Sequence, residues 1–187
     1  MSRVTMLEKS PAQSGATQAD PVEIGMLSWL WVAGVVIALD QLTKWMAEAT
    51  LVDVGNYIAV MPHLNWKLAY NYGAAFSFLG DQGGWQRWFF AILALVVSFF
   101  IINWLRKLRK TNRWTALGLV LVLGGAIGNL IDRLLYGKVI DFIDVYFDIP
   151  FVMDNYHFAT FNVADIAITL GAATLIFVGL FSKEGLE

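Results

Sequence analysis

Four long apolar runs divide the 187-residue chain. They extend over Ile24 to Leu39, Trp88 to Leu105, Trp114 to Ile131 and Phe158 to Phe181. A helix needs about 20 predominantly apolar residues to cross the hydrocarbon core of a bilayer, and the first run reaches that length by continuing through Asp40 and Lys44. We therefore predict four transmembrane helices, over about 24–46, 87–105, 114–134 and 158–181.

Basic residues predict how these helices are oriented. Of the 13 lysines and arginines, five crowd into the link between the second and third runs: Arg106, Lys107, Arg109, Lys110 and Arg113. Because basic residues accumulate in cytoplasmic connections, we expect this link and both termini in the cytoplasm. Segments 47–86 and 134–157 then lie on the outer side.

The two ends of the chain are expected to flank a single membrane domain over 24–182. Residues 1–23 are polar and lack a hydrophobic pattern, so they are predicted to form a disordered cytoplasmic tail, and 183–187 a short one. A cleavable signal peptide is the competing interpretation of the first run, since Ala47-Glu48-Ala49 resembles a cleavage site. The apolar run ends well before that site, at Leu39, so we expect the segment to remain as a helix.

The outer segments carry patterns of their own. Apolar and polar residues alternate between Leu64 and Asn71, which predicts a half-buried strand in a small sheet. From Val139 to Phe158, aspartates are mixed with aromatic residues, as expected for an amphipathic segment at the headgroup level. The same interfacial role suits four tryptophans near the helix ends: Trp85, Trp88, Trp104 and Trp114.

Composition supports the membrane assignment and excludes several kinds of chemistry. The chain is 58% hydrophobic and 15% charged, with a net charge of -2, which favours neither a soluble domain nor a nucleic-acid-binding protein. It contains no cysteine, so thiol nucleophiles and cysteine metal sites are excluded. The predicted fold class is an all-α integral membrane protein with four transmembrane helices, a small extracytoplasmic β-sheet and a short amphipathic outer segment.

Five carboxylates lie at or near the ends of the apolar runs: Asp40, Asp132, Asp141, Asp144 and Asp165. A charged side chain in hydrocarbon costs at least about 2.5 kcal/mol, so several of them at this depth call for a function or a dedicated partner. Lys44 follows Asp40 by four residues and can pair with it on one helix face. Position alone leaves three roles open for such an acid: a proton relay, a structural hydrogen-bond acceptor or a catalytic group.

Other polar residues gather at the same level. Asn129 precedes Asp132 and Arg133 on one side of the third helix, and Asn162 shares a face with Asp165 in the fourth, roughly 60° apart. We expect Arg133 to pair with an outer acid, because a permanent cation lowers the pKa of a nearby carboxyl group and would oppose any role of that group as a proton donor. The spacing of Gly124 and Gly128 indicates close helix packing.

Two carboxyl groups held close together cannot both ionise cheaply, so one keeps a proton while the other accepts one. This is the working state of an aspartic hydrolase, which needs no metal, cofactor or nucleophilic side chain. A Ser-His-Asp triad or a zinc site would depend on His63 and His157, which are far apart in outer segments and lack a metal-binding spacing. We expect both histidines to be surface or hydrogen-bonding residues.

Five motifs occur in order along the chain. They are Asp40-Gln41-Leu42-Thr43-Lys44, Asn71-Tyr72-Gly73-Ala74-Ala75-Phe76, residues 124–133 (GGAIGNLIDR), Val139-Ile140-Asp141-Phe142 and Phe161-Asn162-Val163-Ala164-Asp165. Together with the four spans, they closely resemble the bacterial lipoprotein signal peptidases, also called signal peptidase II. The resemblance covers about residues 25 to 180.

That resemblance implies a function. Members of the family are four-helix proteins of the bacterial inner membrane that remove the signal peptide from prolipoproteins, just before a cysteine carrying diacylglycerol. By motif match, Asp141 and Asp165 correspond to the catalytic pair. The matching supporting and substrate-binding residues are Asp40, Lys44, Asn71, Gly73, Asn129, Asp132, Arg133 and Asn162.

The resemblance also implies that globomycin-type inhibitors bind and that the active site lies near the periplasmic face. Nothing in the sequence demands more than a monomer. Asp144 has no counterpart in the motifs, and we interpret it as a solvated acid. The main alternative function is a small proton-coupled transporter or channel subunit in which Asp40, Asp132 and Asp165 relay protons. A noncatalytic membrane partner would leave the paired acids and their asparagines unexplained.

Overall fold

The structure is a computed structural model that describes residues 25–51, 53–73, 84–149 and 153–181. The predicted tails over 1–23 and 183–187 lie outside the described residues, as do residues 74–76 of the second motif. Within the described ranges the chain forms one short 3-10 turn, four long helices and four β-strands.

The four long helices form the body of the protein. The 3-10 turn, Leu27–Trp29, leads into α1, Leu30–Thr50; the others are α2, Trp85–Lys107, α3, Arg113–Tyr136, and α4, Val163–Phe181. Each of the four is long and apolar enough to cross a membrane. In α3 the most apolar stretch is 61% buried inside the protein, against 22% in each of the other three. Helix α3 is therefore the central helix, and it packs against α1, α2 and α4.

The outward faces of the helices are strongly apolar. Phe99 and Phe100 on α2 are 64% and 65% exposed, and Phe177 and Leu180 on α4 are 63% and 71% exposed. Such a surface is stable in lipid and a liability in water. The four tryptophans predicted as interfacial residues are also more than half exposed.

Small residues let α3 approach its neighbours closely. A Cβ placed on Gly124 would lie 2.8 Å from Cβ of Val36 in α1, and one on Gly128 would lie 2.7 Å from an Asp40 oxygen. A Cβ on Gly125 would collide with the backbone carbonyl oxygen of Ala164 in α4. The packing role predicted for Gly124 and Gly128 is confirmed, and Gly128 has the further effect of making room for a carboxylate.

A four-stranded antiparallel sheet caps one end of the helices. Its strands follow in spatial order β1, Tyr57–Met61, β2, Leu64–Asn71, β3, Val139–Ile149, and β4, Met153–His157. The strand predicted over 64–71 is confirmed as β2. The segment from Val139, expected to be amphipathic, forms β3 and β4. In register, Asp141 of β3 lies opposite Ala69 of β2, and Asp144 lies opposite Asn65.

Helix α4 begins at Val163, five residues later than the predicted start at 158. The preceding residues continue the sheet instead, because Phe161 forms an antiparallel bridge to Ile143. Its N–H donates to the carbonyl of Ile143, and its own carbonyl accepts from the N–H groups of Phe142 and Ile143. Apolar character alone could not separate this stretch from the helix.

Replacing Gly125 by alanine should force α3 and α4 apart, because the new methyl group has no room beside the Ala164 carbonyl. Overpacking of this kind typically costs about 1–3 kcal/mol, so the temperature of thermal unfolding in detergent should fall by several degrees. Gly179→Ala in α4 is the matched control, since a Cβ there meets nothing within 4 Å. Equal unfolding temperatures for the two variants would contradict the packing assignment.

Candidate active site

The N-terminus of α4 is capped by a reciprocal pair of side chains. Oδ1 of Asn162 accepts the N–H of Asp165 at 3.0 Å, and Oδ2 of Asp165 accepts the N–H of Asn162 at 3.2 Å. This is the geometry of a capping box, which satisfies N–H groups that a helix start leaves without partners. The N–H of Ala164 donates to Oδ1 of Asp40 at 2.9 Å. Asp165 thus lies in the first turn, where the helix dipole favours negative charge.

Asp141 is positioned by the end of α3. The helix closes at Gly137, a left-handed residue with φ of 74° whose N–H donates to the carbonyl of Arg133. Three residues later, the N–H of Ile140 donates to Oδ2 of Asp132 at 3.1 Å, which ties the start of β3 to the helix. Asp141 is the next residue and is 3% exposed.

Asn162 connects the two predicted catalytic acids. Its Nδ2 donates to Oδ1 of Asp141 at 2.7 Å, while its backbone N–H donates to Asp165. The same Nδ2 lies within hydrogen-bond distance of the Ile140 carbonyl and of Oδ1 of Asn129. Asn162 is fully buried, so Asp141 and Asp165 meet around a single residue that water does not reach.

Asn129 supplies the second contact to Asp165. Its Oδ1 accepts from Nζ of Lys44 at 3.0 Å and from Nδ2 of Asn162 at 3.1 Å. Because both neighbours can only donate there, the amide group must face Asp165, and its Nδ2 donates to Oδ1 of Asp165 at 2.8 Å. The orientation of this asparagine is therefore fixed by chemistry.

Lys44 forms the next contact with the Asn129 side chain, within a buried cluster of charges. Its ammonium nitrogen is 2.8 Å from Oδ2 of Asp40, 2.8 Å from Oδ2 of Asp132 and 3.0 Å from Oδ1 of Asn129. An ammonium group carries three hydrogens, so each has an acceptor. Lys44 is 2% exposed and both acids are fully buried. The pairing of Asp40 with Lys44 predicted from their spacing is confirmed, and the structure adds Asp132 to the pair.

Gln41 completes this cluster, although it was not singled out in the sequence. Its Nε2 donates to Oδ1 of Asp132 at 2.8 Å and also lies 3.2 Å from Oδ2 of Asp40 and 3.2 Å from the carbonyl of Gly128. The signal was available, since Gln41 lies inside the first motif next to Asp40. Its own hydropathy gives no indication that it links two helices.

A cavity of about 540 Å³ opens beside the two acids. Its lining is mainly apolar and includes Phe158, Phe161, Ile166, Ile168 and Leu170. Five of the lining residues are polar or charged: Asn71, Asn129, Arg133, Asp141 and Asp165. Neither histidine is among the described residues that line it. Within the described part of the chain, no group of three or more acidic or histidine side chains is placed to hold a metal ion.

Asn71 and Gly73 form a small turn at the cavity. The N–H of Gly73 donates to Oδ1 of Asn71 at 3.0 Å, and the Gly73 carbonyl accepts from Nη2 of Arg133 at 3.1 Å. The side-chain oxygen of Asn71 is therefore occupied, and its amide hydrogens remain for Asp141, to which it donates.

Arg133 lines the cavity together with Asp141 and Asp165, and that it pairs with an outer acid stays a prediction, since the outer acid Asp81 lies outside the described residues. Among the described residues, its guanidinium donates to the carbonyls of Asn129 and Gly73, and it lies over the ring of Phe90 at 5.1 Å. Asp132, the adjacent acid, points instead to Lys44 and Gln41. Successive helical residues face different directions by about 100°, which separates these two neighbours.

Asp144 is not the solvated acid that its position suggested. It is 1% exposed and accepts hydrogen bonds from Asn65 and His157. The alternation along β2 placed Asn65 on one face, but the partner strand was unknown from the sequence. His157 is half-exposed and bonded, as expected of a surface or hydrogen-bonding residue.

Burial sets the charge state of Asp141. It raises the pKa of this carboxyl to about 7, with a further contribution from the negative charge of Asp165. Hydrogen bonds from Asn71 and Asn162 and the charge of Lys44 oppose the shift without cancelling it. Asp141 is therefore protonated in a substantial fraction of molecules near neutral pH.

The fold and the site together define a class: a multi-pass membrane protein with two carboxylates, one in the small sheet and one at the start of a helix, that line the same cavity. The model of the family described as signal peptidase (SPase) II matches residues 32–181. The chain belongs to the signal peptidase II family and is a multi-pass bacterial membrane protein.

Known relatives agree along most of the chain. It is 53% identical to the lipoprotein signal peptidase of Hydrogenovibrio crunogenus over 155 residues, covering 82% of this chain and 85% of the relative. It is 47% identical to the lipoprotein signal peptidase of Pseudomonas aeruginosa PAO1, covering 90% and 96%. A solved bacterial membrane enzyme at 2.3 Å resolution superposes with a TM-score of 0.71 at 31% identity, covering 89% and 94%.

Replacing Lys44 by methionine should destabilise the protein strongly, because it leaves Asp40 and Asp132 buried without their cation. Breaking a buried ion pair by removing one partner typically costs about 3–5 kcal/mol. Thermal unfolding in detergent measures the loss. Lys107→Met, which removes an exposed lysine at the end of α2, is the control and should leave the unfolding temperature unchanged. A Lys44→Met protein as stable as the control would refute the role of the cluster.

Proposed function

We propose that this protein is an aspartic endopeptidase that removes signal peptides from diacylglyceryl-modified prolipoproteins by cleaving before the lipidated cysteine. The observation that carries the proposal is the attachment of Asp141 and Asp165 to one buried residue, Asn162, at the edge of a largely apolar cavity. Family membership, and relatives that are lipoprotein signal peptidases, support the substrate class.

The hydrogen bonds around the two acids favour different roles for them. Asp165 lies at a helix N-terminus and accepts hydrogen bonds from the side chain of Asn129 and the backbone N–H of Asn162. Such an environment stabilises a carboxylate. Asp141 is the more deeply buried acid and has the raised pKa. In our proposal Asp165 is the ionised general base and Asp141 the general acid.

In the first step, Asp165 takes a proton from water as the water oxygen attacks the scissile carbonyl carbon, and Asp141 gives its proton to the carbonyl oxygen. The tetrahedral diol then collapses. Asp165 passes its proton to the leaving amine as the carbon–nitrogen bond breaks, and a hydroxyl of the diol returns a proton to Asp141. Both carboxyl groups end as they began, and one water has been consumed.

The supporting residues have consistent tasks in this scheme. Asn129, Asn162 and Asn71 hold the carboxylates through their amide hydrogens, while Asp40, Lys44 and Asp132 hold those amides and the start of α4. Arg133 lines the cavity and donates to the carbonyl of Gly73, and both residues are proposed to contact the substrate backbone. Preorganised donors of this kind need no rearrangement during the reaction.

The cavity suits a substrate that arrives from lipid. Its wall includes Ile166 and Leu170 of α4, which are 38% and 55% exposed on the outer surface of the bundle. A signal peptide and an acylated cysteine both remain in the bilayer, so they would be confined to the depth of the two acids and enter between helices. The same apolar cavity is the proposed site for globomycin-type inhibitors.

A proton-relay transporter is a poorer fit to the observed placement. A relay should thread acids through the depth of the membrane, yet α2 contains no acid and α3 and α4 contain one each, Asp132 and Asp165. The acids instead meet at the end of the bundle that carries the sheet.

Replacing either proposed catalytic acid by its amide should abolish cleavage of a diacylglyceryl prolipoprotein by the purified protein in detergent. Asp141→Asn removes the acid and Asp165→Asn the base, and loss of general acid–base catalysis alone costs roughly 100-fold to 10,000-fold in rate. Asp53→Asn is the control, because Asp53 is an exposed acid in the outer segment. Near-normal turnover in either Asp141→Asn or Asp165→Asn would contradict the mechanism.

We propose that the basic link around Thr111, together with both termini, lies in the cytoplasm and that the sheet and the two acids lie near the periplasmic face. The chain has no cysteine, so Thr111→Cys introduces a single thiol. A membrane-impermeant thiol reagent should label it in inverted membrane vesicles and not in intact cells. Labelling in intact cells would invert the orientation.

A further inference from the structure

Asp144 forms a second polar cluster that the proposed chemistry does not use. Its carboxylate is almost fully buried and accepts Nδ2 of Asn65 at 2.9 Å. Nδ1 of His157 lies 2.9 Å from one Asp144 oxygen and 3.0 Å from the other. Burial alone would raise the pKa of Asp144, but the hydrogen bonds from Asn65 and His157 and the charges of His157 and Lys67 lower it below its usual value. Asp144 is therefore an anion held by three strands of the sheet.

The cluster lies where the sheet leads into the cavity. His157 is the last residue of β4, and the four residues after it, 158–161, all line the cavity beside Asp141 and Asp165. We call residues 158–161 the cavity wall. The wall follows immediately on the residue whose side chain binds Asp144.

The wall is attached at its two ends and free of strand pairing between them. At its start, the N–H of Phe158 donates to the carbonyl of Val145; at its end, Phe161 pairs with Ile143. The next residue, Asn162, donates a hydrogen bond to Asp141 and so fixes the far end beside the two acids. The side chain of His157 adds to the backbone pairing at the near end, because its ring contacts Asp144 and stacks on Tyr146 with centroids 5.3 Å apart.

Loosening this near end should move the wall more than the acids. Asp141 and Asp165 are held by Asn129, Asn162 and the Lys44 cluster, none of which contacts His157 or Asp144 in the hydrogen bonds of the described residues. A shift of the wall would therefore change the shape of the cavity while leaving the two acids in place.

We propose that Asp144 and His157 are positioning residues for substrate binding: the hydrogen bond between them, supported by Asn65, holds residues 158–161 in the shape that receives the substrate beside the two acids. The inference rests on the proposed function of the cavity. It assigns no chemical step to either residue. It predicts that loss of the pair weakens binding and spares the subsequent reaction.

The test is steady-state cleavage of a synthetic diacylglyceryl peptide by the purified full chain in detergent. His157→Ala should raise KM roughly tenfold, because hydrogen bonds to charged groups are among the stronger ones, while kcat stays within about twofold. His157→Asn places an amide N–H near the position of Nδ1 and should bring KM back most of the way. This rescue would not occur if His157 only filled space.

His63→Asn is the matched control. His63 also lies beside Tyr146, with ring centroids 5.5 Å apart, but its side chain bonds the Tyr146 carbonyl rather than Asp144. Asparagine tolerates the left-handed backbone of this residue, whose φ is 69°. The control should leave KM unchanged.

Thermal unfolding shows whether each variant is folded. If His157→Ala is not, His157→Gln keeps the bulk and displaces the donor, and its KM is compared with that of His157→Asn in the same way. An unchanged KM in the variant that lacks the contact, or a fall in kcat with KM unchanged, would overturn the proposal. Failure of the proposed function would be distinct, since it would appear as normal turnover in Asp141→Asn.

Discussion

The ammonium group of Lys44 is the interaction on which the rest of the site depends. It is buried with two carboxylates and one amide oxygen, and each of those partners reaches a different part of the site. Asp40 accepts a backbone N–H at the start of α4, and Asp132 accepts a backbone N–H at the start of β3. Asn129 donates to Asp165. Because uncompensated buried charge costs several kcal/mol, these partners cannot exchange freely for others. One cation therefore fixes the relative positions of a helix start, a strand start and an amide.

Two different physical effects then act on the neighbouring acids. A helix N-terminus and directed N–H groups stabilise charge on Asp165, while burial disfavours charge on Asp141. Proteins commonly obtain an acid and a base from two carboxyl groups by separating their environments in this way. Here the separation arises from ordinary secondary structure: one acid lies in the first turn of a capped helix, and the other lies in a buried strand that leaves the end of a helix.

Periodicity and residue type were sufficient to predict the four spans and strand β2, because these depend on local pattern and on the length of apolar chain that crosses a bilayer. The start of α4 was not predicted, since the bridge between Phe161 and Ile143 is a nonlocal contact; the reciprocal cap of Asn162 and Asp165 was the local signal that could have located it. Asp144 was misjudged for the same reason. Its partners, Asn65 and His157, come from other strands.

The central claim is that the two neighbouring acids share one proton near neutral pH and that Asp141 carries it. Infrared difference spectroscopy of the purified protein, titrated from about pH 5 to about pH 9, detects the carbonyl stretch of a protonated carboxyl group directly. We expect a carboxylic acid band that disappears with a pKa of about 7 and is missing from Asp141→Asn. A band that persists in Asp141→Asn, or two acids that are both ionised throughout the titration, would contradict the account.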